Sequence, residues 1–154
     1  SKSDSLNMGD SLEDDHEFLV EAASAGLTEV QLGEMASRDA VSADVRAFGQ
    51  MMVKDHNAAN TELKTLAAAK NITIPSTPGS DHQKDIDQLK EKKGAEFDRD
   101  YMRMMVDDHQ EAVSDFEEAA REAKDPEIKA FAEKHIPILK HHLSQAQAIR
   151  DKLK

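Results

Sequence analysis

Two copies of one phrase hold the residue types that could do chemistry. Residues 51–56 read MMVKDH and residues 104–109 read MMVDDH, an offset of 53. Each ends in a histidine, His56 and His109, near the middle of an apolar-periodic segment. His142 and the carboxylate Glu29 take the same kind of position in two further segments. Four such residues at similar height, one per helix, would meet on the axis of a bundle. Unpartnered polar groups in that place lose about 1–3 kcal/mol each, and a bare charge loses more. One divalent cation satisfies all four. Imidazole suits zinc, copper, iron and nickel, and one carboxylate offsets part of the ion's charge.

The spacing therefore predicts a mononuclear metal site of Glu29, His56, His109 and His142. Zinc is the first expectation, because it tolerates tetrahedral nitrogen and oxygen ligation and needs no redox role. Iron or copper follow. Four protein ligands would close the site, which argues against hydrolysis, since catalytic zinc keeps an open position. Two other readings stand beside this one. A water added to the set would support redox chemistry on iron, manganese or copper. Alternatively, the four residues form a metal-free polar layer in a structural or interaction protein, with one imidazolium paired to Glu29.

The neighbours of these residues have both bland and functional readings. Asp55 and Asp108 precede the repeated histidines and are either acceptors for imidazole N–H groups on adjacent helices or plain surface charges. Met52 and Met105 lie one turn earlier and are expected to fill core, although thioethers would also suit Cu(I). His135 is expected to pack or to be partly exposed, His141 to border the core face, and His16 and His82 to lie on the surface.

Four long helices must position this layer. Residues 1–10 are polar and small, and are expected to be a flexible leader; the bundle is expected over 11–154. The first helix begins near Ser11 or Asp14, with Phe18, Ala22, Ala25, Leu32 and Ala36 on its apolar face. Glu29 falls in that face, between Gly26 and Gly33, which permit a neighbour to come close. Ser42 caps a second helix that runs to about Asn71. The stretch ITIPSTPGS then breaks the chain, and a short polar helix over about 81–92, capped by Ser80, follows within a long crossover. A third long helix starts near Gly94. Asp125 and Pro126 then cap and open a fourth, which contains Pro137. The repeat suggests two related helical hairpins rather than a solenoid, because only two copies exist.

The bulk composition fits a solvated all-α domain. Among 154 residues, 33% are charged, 4% are aromatic, and the net charge is −11. That charge repels nucleic acid and anionic membranes. Without cysteine there is no disulfide, thiolate ligand or cysteine nucleophile. No stretch approaches the roughly 20 apolar residues of a membrane span. The oligomeric state is left open, a homodimer included.

Four stretches together carry a family resemblance. They are FLVEAASAGLTEVQLGEMAS, VRAFGQMMVKDHNAANTELKTLA, GAEFDRDYMRMMVDDHQEAVSDFE and KAFAEKHIPILKHHLSQAQ. The chain from 16 to 150 resembles the bacterial domain-of-unknown-function family numbered 4142. The resemblance implies a ferritin-like four-helix bundle with a long crossover. It also implies an exported protein in a periplasmic or outer-membrane-associated setting; with Ser1 rather than Met at its start, the chain is expected to be a mature or truncated form that has lost an export signal. It implies no established activity. Diiron ferritin-like sites use Glu-x-x-His on two helices, whereas Val53 and Leu139 stand three residues before His56 and His142. The missing bridging carboxylates favour a mononuclear site over a diiron oxidase.

Overall fold

Two buried aspartates tie two helical hairpins together. In the computed structural model, which describes residues 8–153 with side chains from residue 13, five helices follow one another. They are α1 (Met8–Asp39), α2 (Ala43–Ala69), α3 (Ser80–Lys90), α4 (Gly94–Glu122) and α5 (Pro126–Lys152). No strand occurs among the described residues. Asp98 on α4 accepts hydrogen bonds from Val41 N at 3.0 Å and Ser42 N at 2.8 Å, holding the turn between α1 and α2. Asp15 on α1 accepts from Lys124 N at 3.1 Å and Asp125 N at 2.9 Å, holding the turn between α4 and α5. Each hairpin thus supplies the acceptor for the free backbone donors at the other's bend.

α1 packs on α2, and α4 packs on α5. Contacts of α1 with α4 and of α2 with α5 close the bundle, so α2 and α4 face each other across its axis. The two repeated phrases lie on this diagonal pair. α1 and α2 come close together at two glycines. A Cβ on Gly33 would stand 2.8 Å from Gly49 O, and one on Gly49 would stand 2.7 Å from Gly33 O. Side chains are excluded there, and the backbones approach each other directly.

The core has two parts. One contains Leu32, Met52, Phe97, Tyr101, Met105 and Ala146; the other contains Leu19, Leu63, Ile128 and Phe131. α1 and α5 run from the second part to the first, while α2 and α4 run from the first to the second. Both links within the hairpins are short, but the chain must return along the bundle between α2 and α4. α3 covers that path and rests on α1. Its tether is Ser24, whose Oγ accepts from Gly79 N at 2.8 Å and shares a 2.6 Å hydrogen bond with His82 Nδ1. The architecture is the ferritin-like four-helix bundle with a long crossover that the sequence predicts.

Several local expectations are corrected. α1 begins at Met8, inside the expected leader; residues 1–7 of that leader lie outside the described residues. Gly79, not Ser80, holds the N-cap position of α3, with extended backbone and no side-chain bond. α2 ends at Ala69, just before Asn71, whose φ of 58° leaves the helical region. Ser42 and Asp125 cap α2 and α5 as expected. His82, expected on the surface, is half-buried against Ser24 and Glu21. The first helix also buries Leu19 and Ala23, while Phe18 and Ala22 are only partly covered.

Candidate metal centre

Between the two apolar clusters lies one polar layer. His56 on α2 and His109 on α4 each follow by one turn a fully buried methionine, Met52 and Met105. That i,i+4 spacing puts each imidazole on the same inward stripe as its methionine. His142 on α5 lies one turn before the buried Ala146. One ring nitrogen from each of His56, His109 and His142 lies within 4.8 Å of the other two. The ring centroids are 5.8, 5.4 and 5.3 Å apart.

For His109 and His142, hydrogen bonds fix which nitrogen faces inward. His109 Nδ1 is 2.7 Å from Met105 O, and a carbonyl can only accept. Nδ1 therefore carries the proton, and the lone pair is on Nε2. His142 Nε2 is 2.7 Å from Asp55 Oδ2, so Nε2 donates and Nδ1 bears the lone pair. His56 Nε2, His109 Nε2 and His142 Nδ1 are all buried without a hydrogen-bond partner. Of the two readings open for Asp55, the structure shows the acceptor for an imidazole on a neighbouring helix.

Burial also sets the protonation state. It pushes His109 down to about 4, and holds His56 well below the ordinary imidazole range, with the neighbouring imidazoles adding to the effect. His142 is lowered by burial too, although its bond to Asp55 works in the other direction. All three rings are therefore neutral at pH 7, the form in which imidazole binds metals. Three buried nitrogens on neutral rings, each without a hydrogen-bond partner, are a ligand set compatible with a divalent cation.

Glu29 does not join them. It stands outside the group whose ligand atoms lie within 4.8 Å of one another. Its side chain is 5% exposed and faces Asp108, the carboxylate preceding His109. Burial and the charge of Asp108 raise the Glu29 carboxyl well above the usual range. Burial raises Asp108 to about 6, although the bond to Glu29 lowers it. Two acids in contact at low dielectric share a proton rather than both ionising. No donor reaches Glu29 Oε1, so the pair is linked only while it holds that proton. Position within a segment placed Glu29 at the right height, but the rotation of α1 against α4 turns it toward Asp108. Asp108 is thus an acceptor for a carboxyl, not for an imidazole.

The remaining histidines lie outside this group. His135 Nε2 meets Glu62 Oε1 at 2.9 Å, and its ring packs on Phe131 with centroids 4.5 Å apart. His16 and His141 are exposed. Met52 and Met105 belong to the core, as expected.

A cavity of about 830 Å³ runs from the histidine layer toward the turn between α4 and α5. Alanines make the room: Ala22 and Ala25 on α1, Ala59 on α2 and Ala112 on α4 all border it. The sequence displays these alanines plainly, but they read there as ordinary helix-face residues.

A family profile described as "Domain of unknown function (DUF4142)" matches residues 3–149. No curated protein matches the sequence. Among solved structures, the DUF305 fragment from Deinococcus radiodurans is similar, with a TM-score of 0.77 and 12% identity over 90% of this chain and 96% of that one. CopM in its Cu(II)-bound form gives a TM-score of 0.76 and 18% identity over 91% and 97%. A conserved hypothetical protein, rv2844, from Mycobacterium tuberculosis gives 0.71 and 14% over 92% and 93%. At these identities the likeness is one of fold.

Proposed function

We propose that this chain, which belongs to the domain-of-unknown-function family 4142, is a metal-binding protein. In this reading it holds one first-row divalent ion on His56 Nε2, His109 Nε2 and His142 Nδ1. The observation that carries the reading is the convergence of three buried, unpartnered imidazole nitrogens in one layer. A metal-free core would leave all three without a hydrogen bond, at about 1–3 kcal/mol each. A cation removes that penalty in one step.

Copper and zinc are the ions that suit the set best. Zinc remains compatible, since it accepts nitrogen ligands in any ratio with oxygen. Copper gains from two considerations. A three-imidazole set without thiolate binds Cu(II) more tightly than Zn(II) in the Irving–Williams order. The structurally similar CopM carries Cu(II) in its solved form. Iron is weaker, because Glu29 and Asp108 hold each other and bring no carboxylate into the group. The ion's role would be buffering or handling of metal under stress, in the periplasm or at the outer membrane.

Three protein ligands rather than four also favour a second reading. One position on the ion would remain for a small exogenous ligand, and the alanine-lined cavity leads to it. That arrangement suits exchange or redox chemistry better than a closed structural site does.

Metal content by mass spectrometry of untagged protein, purified and then loaded separately with copper, zinc and iron salts, tests the proposal. About one equivalent in the wild type, lost in His109→Ala, is the expected result. No metal in the wild type under any loading condition would sink it.

A further inference from the structure

We propose that the seam between α1 and α4 is the route by which a divalent cation reaches the histidine triad. Glu21, Glu111 and Asp115 form its outer lining, and Glu29 its inner end. The inference rests on the reading of the triad as a metal site and adds a path to it.

Helical spacing lays out the path. On α4, Asp108, Glu111 and Asp115 follow one another at i, i+3 and i+7, a single stripe. On α1, Glu21 and Glu29 are two turns apart, about 12 Å along the axis, with Ala25 between them. All of these residues border the cavity that contains the triad. Basic residues in that lining are confined to the far end, near the turn between α4 and α5: Arg121, Lys124 and Lys129.

The carboxylates of this seam are poorly neutralised. Among the described residues neither Glu111 nor Asp115 has an ion-pair partner, and Glu21 has only His82 Nε2, at 3.4 Å. Burial and mutual repulsion raise Glu21 and Asp115 above their ordinary values, so like charges are held close together there. The opposite seam differs. Between α2 and α5, Asp55 is bound to His142, and Glu62 is bound to His135 at 2.9 Å and Lys134 at 3.0 Å. Its carboxylates are already taken.

The inner end supplies the second half of the case. Glu29 is nearly fully buried, and no donor reaches its Oε1. Beyond it the unpartnered nitrogens of His56 and His109 face the same space. A dehydrating cation drawn in by the outer carboxylates thus meets an oxygen first and nitrogens next. Clefts lined by one sign of charge focus the field and raise the on-rate for a counter-ion by about 10- to 1,000-fold.

Stopped-flow absorbance with Cu(II) sulfate, following the near-ultraviolet copper–imidazole band of the full chain, tests the route. The double variant Glu111→Gln/Asp115→Asn should load about tenfold more slowly than wild type at low ionic strength. The gap should close in 0.5 M salt, where screening is short-ranged. A control, Glu34→Gln/Glu133→Gln, removes the same charge from exposed positions outside the cavity lining and should load at the wild-type rate. Equal rates for the seam variant and the control would overturn the route while leaving the triad standing. A wild type that takes up no copper would overturn the triad and the route together.

Discussion

His142 donates from Nε2 to Asp55 Oδ2 across 2.7 Å, a bond from α5 to α2 that decides which nitrogen of the ring faces the bundle axis. His142 is wholly buried, while Asp55 keeps about a third of its side chain exposed. The carboxylate both orients the imidazole and makes it a better donor to a cation. Asp55→Ala should therefore weaken metal binding about 10- to 100-fold with the stoichiometry unchanged. Competition against a chelator of known affinity measures this. An unchanged affinity would mean that packing alone holds the ring.

The layer should weigh against stability when no metal is bound. His109→Leu replaces a ring whose Nε2 lacks a partner with an apolar side chain of similar size. In the presence of chelator the variant should be more stable than wild type by about 1 kcal/mol. With metal the order should reverse. A ligand at a hundredfold excess over its dissociation constant stabilises the wild type by about 2.7 kcal/mol, and the variant should gain far less. Thermal melts with chelator and with copper separate the two effects. A variant that is less stable than wild type in chelator would show that His109 contributes more by packing than its free nitrogen costs.

Acid should destabilise the metal-free layer through its histidines. Their folded values are depressed by burial, His109 to about 4, whereas an unfolded imidazole titrates near 6.5. Between these values the unfolded chain binds more protons, so stability falls as pH falls. The histidine contribution is complete above about pH 6.5 and is lost progressively on the way down to about 4. The Glu29–Asp108 pair acts with the opposite sign. Its raised values, Asp108 at about 6, make it more favourable at low pH, and that contribution fades as pH rises through 6. Urea unfolding from pH 7.5 to 4.5, compared between wild type and His109→Leu, isolates the imidazole part. The variant's slope should be smaller by up to about one proton. Identical slopes would contradict a neutral, buried His109.

Two glycines of α1 should respond in opposite ways to one added methyl group. At Gly33 the new Cβ would meet the backbone of Gly49 at 2.8 Å, so Gly33→Ala must push α1 from α2 and should destabilise by about 1–3 kcal/mol. At Gly26 the obstacle is Asn60 Oδ1, the tip of a flexible side chain. Once that tip swings away, Gly26→Ala should be neutral or stabilising by up to about 1 kcal/mol, from helix propensity. Denaturant midpoints of the two variants provide the comparison. Equal losses at both positions would mean that Asn60 is fixed rather than free to move.

The sequence by itself determined the helices and most of the layer. Apolar spacing and the Ser42 and Asp125 caps are local signals, each written within a few residues, and they mark where α2 and α5 begin. The histidines were legible for the same reason. A polar residue in the middle of an apolar stripe must face the core, whatever the neighbouring helices do. Asp15 and Asp98 were not legible as clamps, because their partners lie more than 50 residues away at the bends of the other hairpin. In the sequence they read as ordinary charges near helix starts. Glu29 marks the boundary between the two kinds of knowledge. Its height along α1 follows from counting residues, but its direction depends on how α1 is rotated against α4. That rotation is set by contacts between segments distant in sequence, such as the bonds from Lys124 N and Asp125 N at the end of α4 to Asp15 on α1. Only the tertiary structure could decide that three imidazoles meet on the axis while the carboxylate turns aside to Asp108.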